Sequence, residues 1–128
     1  MNGIGSGKSL KSGKNDHVFV YFADHGAPGI LGFGMKYLKA DDLNQTLNDM
    51  HRYGLFSKLV FYVEACESGS MFENILSPMI EVYATTASNS TASSFACYYD
   101  PEVKTFLGDV YSVKWLEGIF FLKRLTNA

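Results

Sequence analysis

The chain has 128 residues, enough for one domain or part of one, and 47% of them are hydrophobic, which excludes a disordered composition. A formal net charge of −2 offers no electrostatic purchase to nucleic acid or to an anionic membrane. No stretch is long and apolar enough to span a bilayer, and Met1-Asn-Gly-Ile-Gly-Ser-Gly-Lys lacks the apolar centre of a secretion signal.

Residues 1–15 are rich in Gly, Ser and Lys and read as a solvated loop. Gly3-Ile-Gly-Ser-Gly-Lys-Ser has the look of a phosphate-binding loop, but Asn2 stands where the pattern needs its first glycine. No strand precedes it to aim its amides, so phosphate binding is set aside. Residues 17–22 form a short apolar strand, and Asp24-His-Gly-Ala-Pro-Gly-Ile-Leu-Gly after it is a glycine-rich turn, with residues 30–33 as a hairpin arm. Over residues 40–53, Leu43, Leu47 and Met50 recur at helical spacing, Asp41 and Asp42 suit the positive end, and Gly54 is a stop. A second apolar strand covers residues 59–63, and strand, helix, strand is the unit that produces neighbouring parallel strands. Beyond it the chain predicts a short helix over residues 70–76 ended by Pro78, a third strand over 80–85 and a polar loop over 85–94. An extended piece over 95–99, a turn at Asp100-Pro101 and a helix-like stretch over 106–122 complete an α/β reading with a mainly parallel sheet.

Two places carry chemistry. Leu59-Val-Phe-Tyr-Val-Glu-Ala-Cys-Glu-Ser-Gly-Ser is an apolar strand that delivers Cys66 to a loop, and His17-Val-Phe-Val-Tyr-Phe-Ala-Asp-His-Gly delivers His25 in the same way. In a parallel sheet both would emerge at the C-terminal edge, where open α/β sheets hold their sites. A thiol is mostly protonated at neutral pH, so a nucleophilic Cys66 needs a base, for which His25 is the candidate, with help from the N-terminus of the helix expected after it. Backbone amides of Gly26 and Cys66 are candidate oxyanion donors. Glu64 lies two residues before Cys66, on the same face of an extended chain, and is either a structural hydrogen-bond partner or part of a substrate pocket. His17 and His51 read as structural or solvated. The only other cysteine, Cys97, sits in the aromatic stretch Ser94-Phe-Ala-Cys-Tyr-Tyr; one bridge between the two is open, but a reactive thiol at Cys66 and a buried one at Cys97 fit their flanks better.

Asp24-His-Gly, Glu64-Ala-Cys-Glu-Ser-Gly-Ser-Met, Tyr83-Ala-Thr-Thr-Ala, Ser94-Phe-Ala-Cys-Tyr-Tyr-Asp, Leu107-Gly-Asp and Tyr111-Ser-Val together resemble the legumain family of asparaginyl endopeptidases, over nearly the whole chain up to Glu117. The resemblance implies a caspase-like three-layer α/β fold and a lysosomal, vacuolar or secreted cysteine endopeptidase that cleaves after asparagine, and after aspartate at lower pH, without metal or cofactor. It makes Cys66 the nucleophile, His25 the general base and acid, and Gly26 with Cys66 the oxyanion donors. Glu64, Ser94 and Asp109 match positions that line the asparagine pocket, Asp24 matches a position able to form a succinimide, and cystatin-type inhibitors are the implied protein partners. The glycosylphosphatidylinositol transamidase subunit shares fold and dyad, but its motifs resemble Thr-Gly-His-Gly and Asp-Thr-Cys-Gln rather than those here.

Against that family the chain is expected to be a partial peptidase domain over residues 1–117, incomplete at the N-terminus, with a divergent tail over 118–128. The family's secretion signal, first strand and pocket arginine and histidine would precede Met1, and an inhibitory prodomain would follow. Val110 stands where an aromatic is expected and Lys114 where an asparagine is. Two function classes follow, a working protease and a catalytically dead fragment that only binds. Asn44-Gln-Thr and Asn89-Ser-Thr are glycan acceptors if the parent is secreted.

Overall fold

The computed structural model describes residues 7–126. The start of the glycine-rich leader, with most of the discarded phosphate-loop pattern, and the last two residues of the tail lie outside the described residues.

The elements in chain order are β1 (His17–Ala23), β2 (Gly26–Ala27), β3 (Ile30–Phe33), β4 (Lys36–Lys39), α1 (Ala40–Arg52), β5 (Lys58–Glu64), a single 3-10 turn (Ser68–Met71), β6 (Val82–Thr86), β7 (Ala96–Asp100), β8 (Thr105–Asp109) and α2 (Val110–Thr126). A parallel sheet in the order β1-β5-β6 is the centre of the molecule. A small antiparallel sheet, β2-β3-β4, fills the connection between β1 and α1, and β7 and β8 form a hairpin.

Alternation along the strands sorts the two faces. Val18, Leu59 and Phe61 are buried on one face and join Leu43, Leu47 and Met50 of α1 in a single apolar core. The other face carries Phe19, Tyr21 and Tyr62, whose rings meet Trp115 of α2 edge-on at 5.9, 5.2 and 5.6 Å. Helices therefore cover both faces, the arrangement a parallel sheet requires. This mixed α/β architecture agrees with the three-layer expectation, and α1 ends as expected, with Gly54 in the left-handed region at φ 62°.

Three local expectations are corrected. Residues 70–76 do not form a helix: the chain makes only the four-residue 3-10 turn, entered through Glu67 at φ 47°, and Asn74 at φ 61° breaks any continuation. So short a turn has little aligned dipole, which removes the helix N-terminus as support for Cys66. The third strand starts at Val82 because Glu81 is left-handed at φ 54°. The stretch expected to be helical from residue 106 begins as β8, because Asp100 Oδ1 accepts from the amides of Glu102 (2.7 Å) and Val103 (3.1 Å) and turns the chain back onto β7. Only at Val110 does α2 begin, and it continues without a break past Glu117. Its later side chains Ile119, Phe120, Phe121 and Leu122 are exposed. Strand β4 had no expectation at all.

Leu59, 1% exposed at the centre of the sheet, is one of the largest fully buried side chains. Leu59→Ala is expected to lower unfolding free energy by about 2–5 kcal/mol in urea titrations, the range of buried leucine deletions. Tyr111 supplies a pH signature: its hydroxyl donates to the Thr85 carbonyl at 3.2 Å, and burial pushes its phenol from 10.0 up to about 12. An acid raised in the folded state holds its proton there, so the stability it contributes is complete below pH 10.0 and is lost as pH climbs to about 12. Alkaline unfolding followed by circular dichroism is expected to fall in that window, and Tyr111→Phe to lose this part of the dependence.

Candidate active site

Strands β1 and β5 pair in parallel up to the last residues of both, Ala23 opposite Glu64. The amide of Asp24 then donates to the Glu64 carbonyl at 3.2 Å, which carries the ladder one step beyond the strands. Both chains leave the sheet at the same edge, one into Asp24-His25-Gly26 and the other into Ala65-Cys66.

The two loops are in close contact. A β-carbon on Gly26 would collide with the Cys66 carbonyl oxygen and stand 2.9 Å from the Ala65 β-carbon, so only glycine fits. Asp24 turns its carboxylate onto the next residue, Oδ1 accepting from the His25 amide at 2.7 Å. The His25 carbonyl in turn accepts from Gly32 of β3 at 2.8 Å, so the small antiparallel sheet holds the histidine loop from outside.

The cysteine loop is held by serines instead of a helix. Ser68 is fully buried, its amide donates to Ser88 Oγ at 3.2 Å, and Ser88 Oγ donates to the Ala65 carbonyl at 3.1 Å. Glu67 and Gly69 donate their amides to the carbonyls of Ala92 (2.9 Å) and Ser88 (3.0 Å). Ser70 Oγ accepts from the Gly29 amide at 2.8 Å and so links the cysteine and histidine loops directly. The Cys66 amide donates to no acceptor among the described residues. Its thiol is half-buried, with Sγ 3.6 Å from Ser94 Oγ. Cys97 is also a free thiol, half-buried in β7 rather than fully buried.

A cavity of about 410 Å³ opens at this edge, lined by Asp24, His25, Glu64, Cys66, Ser94 and Asp109 among others. These six of the residues singled out in the sequence converge there, and Gly26 packs beside Cys66. Three carboxylates face the cavity, and none of its lining residues is a lysine or arginine. Alternation across the hairpin divides its residues: Ser94, Ala96 and Asp109 face this cavity, while Phe95 and Val110 line a second one of about 400 Å³ with Tyr111, Lys114 and Trp115. Glu64 borders both.

Glu64 is 3% exposed. Its Oε2 accepts from the amide of Ser112 at 2.9 Å and from its hydroxyl at 2.8 Å, whereas Oε1 has no partner among the described residues. Ser112, Ser88 and Tyr21 are the residues sequence reading missed; a helix start placed at Val110 would have pointed to Ser112, and nothing marked Ser88 within its polar run. No three His, Cys, Asp or Glu side chains among the described residues gather as a metal site.

A profile of the Peptidase C13 family matches residues 1–124. Bos taurus legumain is 60% identical over 117 residues, which is 91% of this chain and 27% of that protein. Homo sapiens legumain is 57% identical over the same shares, and the vacuolar-processing enzyme of Vicia sativa is 51% identical over 121 residues, 88% of this chain and 24% of that enzyme. The chain thus spans about a quarter of the length of the curated relatives it matches. With its cysteine and histidine loops on one sheet edge and a family match along almost its entire length, the chain belongs to the Peptidase C13 family of cysteine peptidases.

Proposed function

We propose that the cavity at the end of β1 and β5 is the active site of a cysteine endopeptidase that cleaves after asparagine, and after aspartate at lower pH. The observation that carries this reading is the parallel pairing of β1 with β5, which sends His25 and Cys66 into one cavity together with Glu64, Ser94 and Asp109.

In this reading Cys66 Sγ attacks the carbonyl carbon of the scissile bond while His25 takes the thiol proton. The tetrahedral oxyanion is met by the amides of Cys66 and Gly26. His25 then protonates the leaving amine, and water, deprotonated by the same imidazole, hydrolyses the thioester and releases the acid. An asparagine side chain offers both a donor and an acceptor: its NH2 would donate to the open Oε1 of Glu64 and to Asp109, and its carbonyl would accept from Ser94. A protonated aspartate supplies one of those donors and an ionised one does not, which accounts for the acid-dependent second specificity. Asp24 is the succinimide candidate, since ring closure joins its carboxyl carbon to the His25 amide nitrogen as the carboxyl hydroxyl and the amide proton leave as water, and Oδ1 lies 2.7 Å from that nitrogen. The parent protein would work in a lysosome or vacuole, with cystatin-type inhibitors as protein ligands of the same site.

One observation favours a second reading, a fragment that binds without turning over. The three carboxylates of the cavity have no lysine or arginine among its lining residues, so an asparagine carbonyl meets no cationic side chain of those types there.

Labelling separates the two. At mildly acidic pH an electrophile carrying an asparagine side chain is expected to modify Cys66, located by mass spectrometry, and to fail with His25→Ala; reaction with a small unselective thiol reagent alone would support the binding fragment. Gly26→Ala is expected to cut asparagine-directed labelling by at least about tenfold, because the added methyl must push the histidine and cysteine loops apart and small displacements at a reacting centre are costly.

A further inference from the structure

The two oxygens of the Glu64 carboxylate are held unequally. Both donors of Ser112, its amide and its hydroxyl, converge on Oε2, and Oε1 is the buried oxygen no described residue uses. Ser112 lies in the first turn of α2, where backbone amides have no intrahelical acceptor. The carboxylate therefore takes up an otherwise orphaned donor and sits at the positive end of the helix.

The contact extends outward to Tyr21. The single proton of the Ser112 hydroxyl is committed to Glu64, so in the 2.7 Å pair between Tyr21 and Ser112 the phenol must be the donor. Donors run one way, from Tyr21 on β1 to Ser112 on α2 to Glu64 on β5, and each bond polarises the next. With its stem fixed by the central strand and Oε2 anchored by two donors, the carboxylate has little freedom left, and the position of Oε1 follows.

We propose that Ser112, backed by Tyr21, is the positioning residue that sets side-chain selectivity in this cavity. By saturating Oε2 it leaves Oε1 as the one acceptor Glu64 can offer a substrate, so a side chain that donates a hydrogen is favoured over one that has none to give. The proposal rests on the reading of the cavity as an asparagine pocket. Without the serine hydroxyl, Oε2 becomes a second, competing acceptor and Oε1 is no longer held in place.

The test compares the full chain with Ser112→Ala, Ser112→Thr and Tyr21→Phe, using two electrophiles that differ only in carrying an asparagine or an alanine side chain, with iodoacetamide as a measure of thiol reactivity. Ser112→Ala is expected to lose about tenfold in the asparagine-to-alanine labelling ratio, the scale of one hydrogen bond to a charged group, while iodoacetamide reacts at the wild-type rate. Ser112→Thr restores the ratio, and Tyr21→Phe loses a smaller part of it. A ratio unchanged in Ser112→Ala, or a fall in both rates alike, overturns the positioning role and leaves the asparagine pocket standing. A wild-type chain that labels without preference overturns the pocket itself and the role with it. Amide exchange by NMR tests the clamp separately: Glu64→Ala should speed exchange of the Ser112 amide, and an unaltered rate would mean the carboxylate does not hold it.

Discussion

The register between β1 and β5 is the constraint on which everything at the site depends. Because the strands are parallel and neighbouring, their C-terminal ends fall side by side, and because the pairing ends with Ala23 opposite Glu64, the next two or three residues of each are brought to the same place. A shift of one residue would turn every side chain of a strand to the other face, separating the Leu59 side from the α1 core and Tyr62 from Trp115. Burial on both faces therefore fixes the register, and the register places the imidazole and the thiol. The same closeness explains Gly26, where any larger residue meets the Cys66 carbonyl.

What holds the cysteine loop is polar and local. A helix following Cys66 would have supplied both rigidity and a field; here a four-residue 3-10 turn is stapled by the Ser68–Ser88 exchange and by amide bonds to the 87–92 loop. Such a network is dependable only when its buried members are satisfied, and Ser68, with no exposed surface, gives and accepts hydrogen bonds with Ser88. Gly69 is fitted to it as tightly as Gly26 is to its neighbour, since a β-carbon there would lie 2.7 Å from Asn89 carbonyl carbon.

The hairpin β7–β8 and the start of α2 form the remaining wall, and their alternation divides the wall into two cavities with Glu64 between them. A buried carboxylate with one satisfied and one open oxygen is an unfinished interaction, costly in isolation and useful where a donor arrives with a substrate. Open interactions recur elsewhere. Among the described residues no strand pairs with the outer edge of β1 or of β6, and Phe95, Phe106, Ile119, Phe120 and Phe121 are exposed.

Much of this was legible in the residues. Short apolar runs marked β1 and β5, the Leu43, Leu47, Met50 spacing marked α1, and strand followed by helix followed by strand implied parallel neighbours, which is why His25 and Cys66 could be expected at one sheet edge from the residues alone. Those signals are local, and each depends on a short window of chain. The 3-10 turn in place of a helix, the strand from Thr105 to Asp109 and the late start of β6 were not legible, because they turn on left-handed residues at Glu67, Asn74 and Glu81 and on an aspartate-capped hairpin, where tertiary contacts override propensity. The partners of Glu64 were hidden for a related reason: Ser112 and Tyr21 stand 48 residues after it and 43 before it, and no sequence period connects them. By itself the sequence determined the fold class, the two strands that matter and the family; the tertiary structure alone decided how the cysteine loop is held and which oxygen of the Glu64 carboxylate stays unpartnered among the described residues, since both depend on hydrogen bonds between segments that only folding brings together.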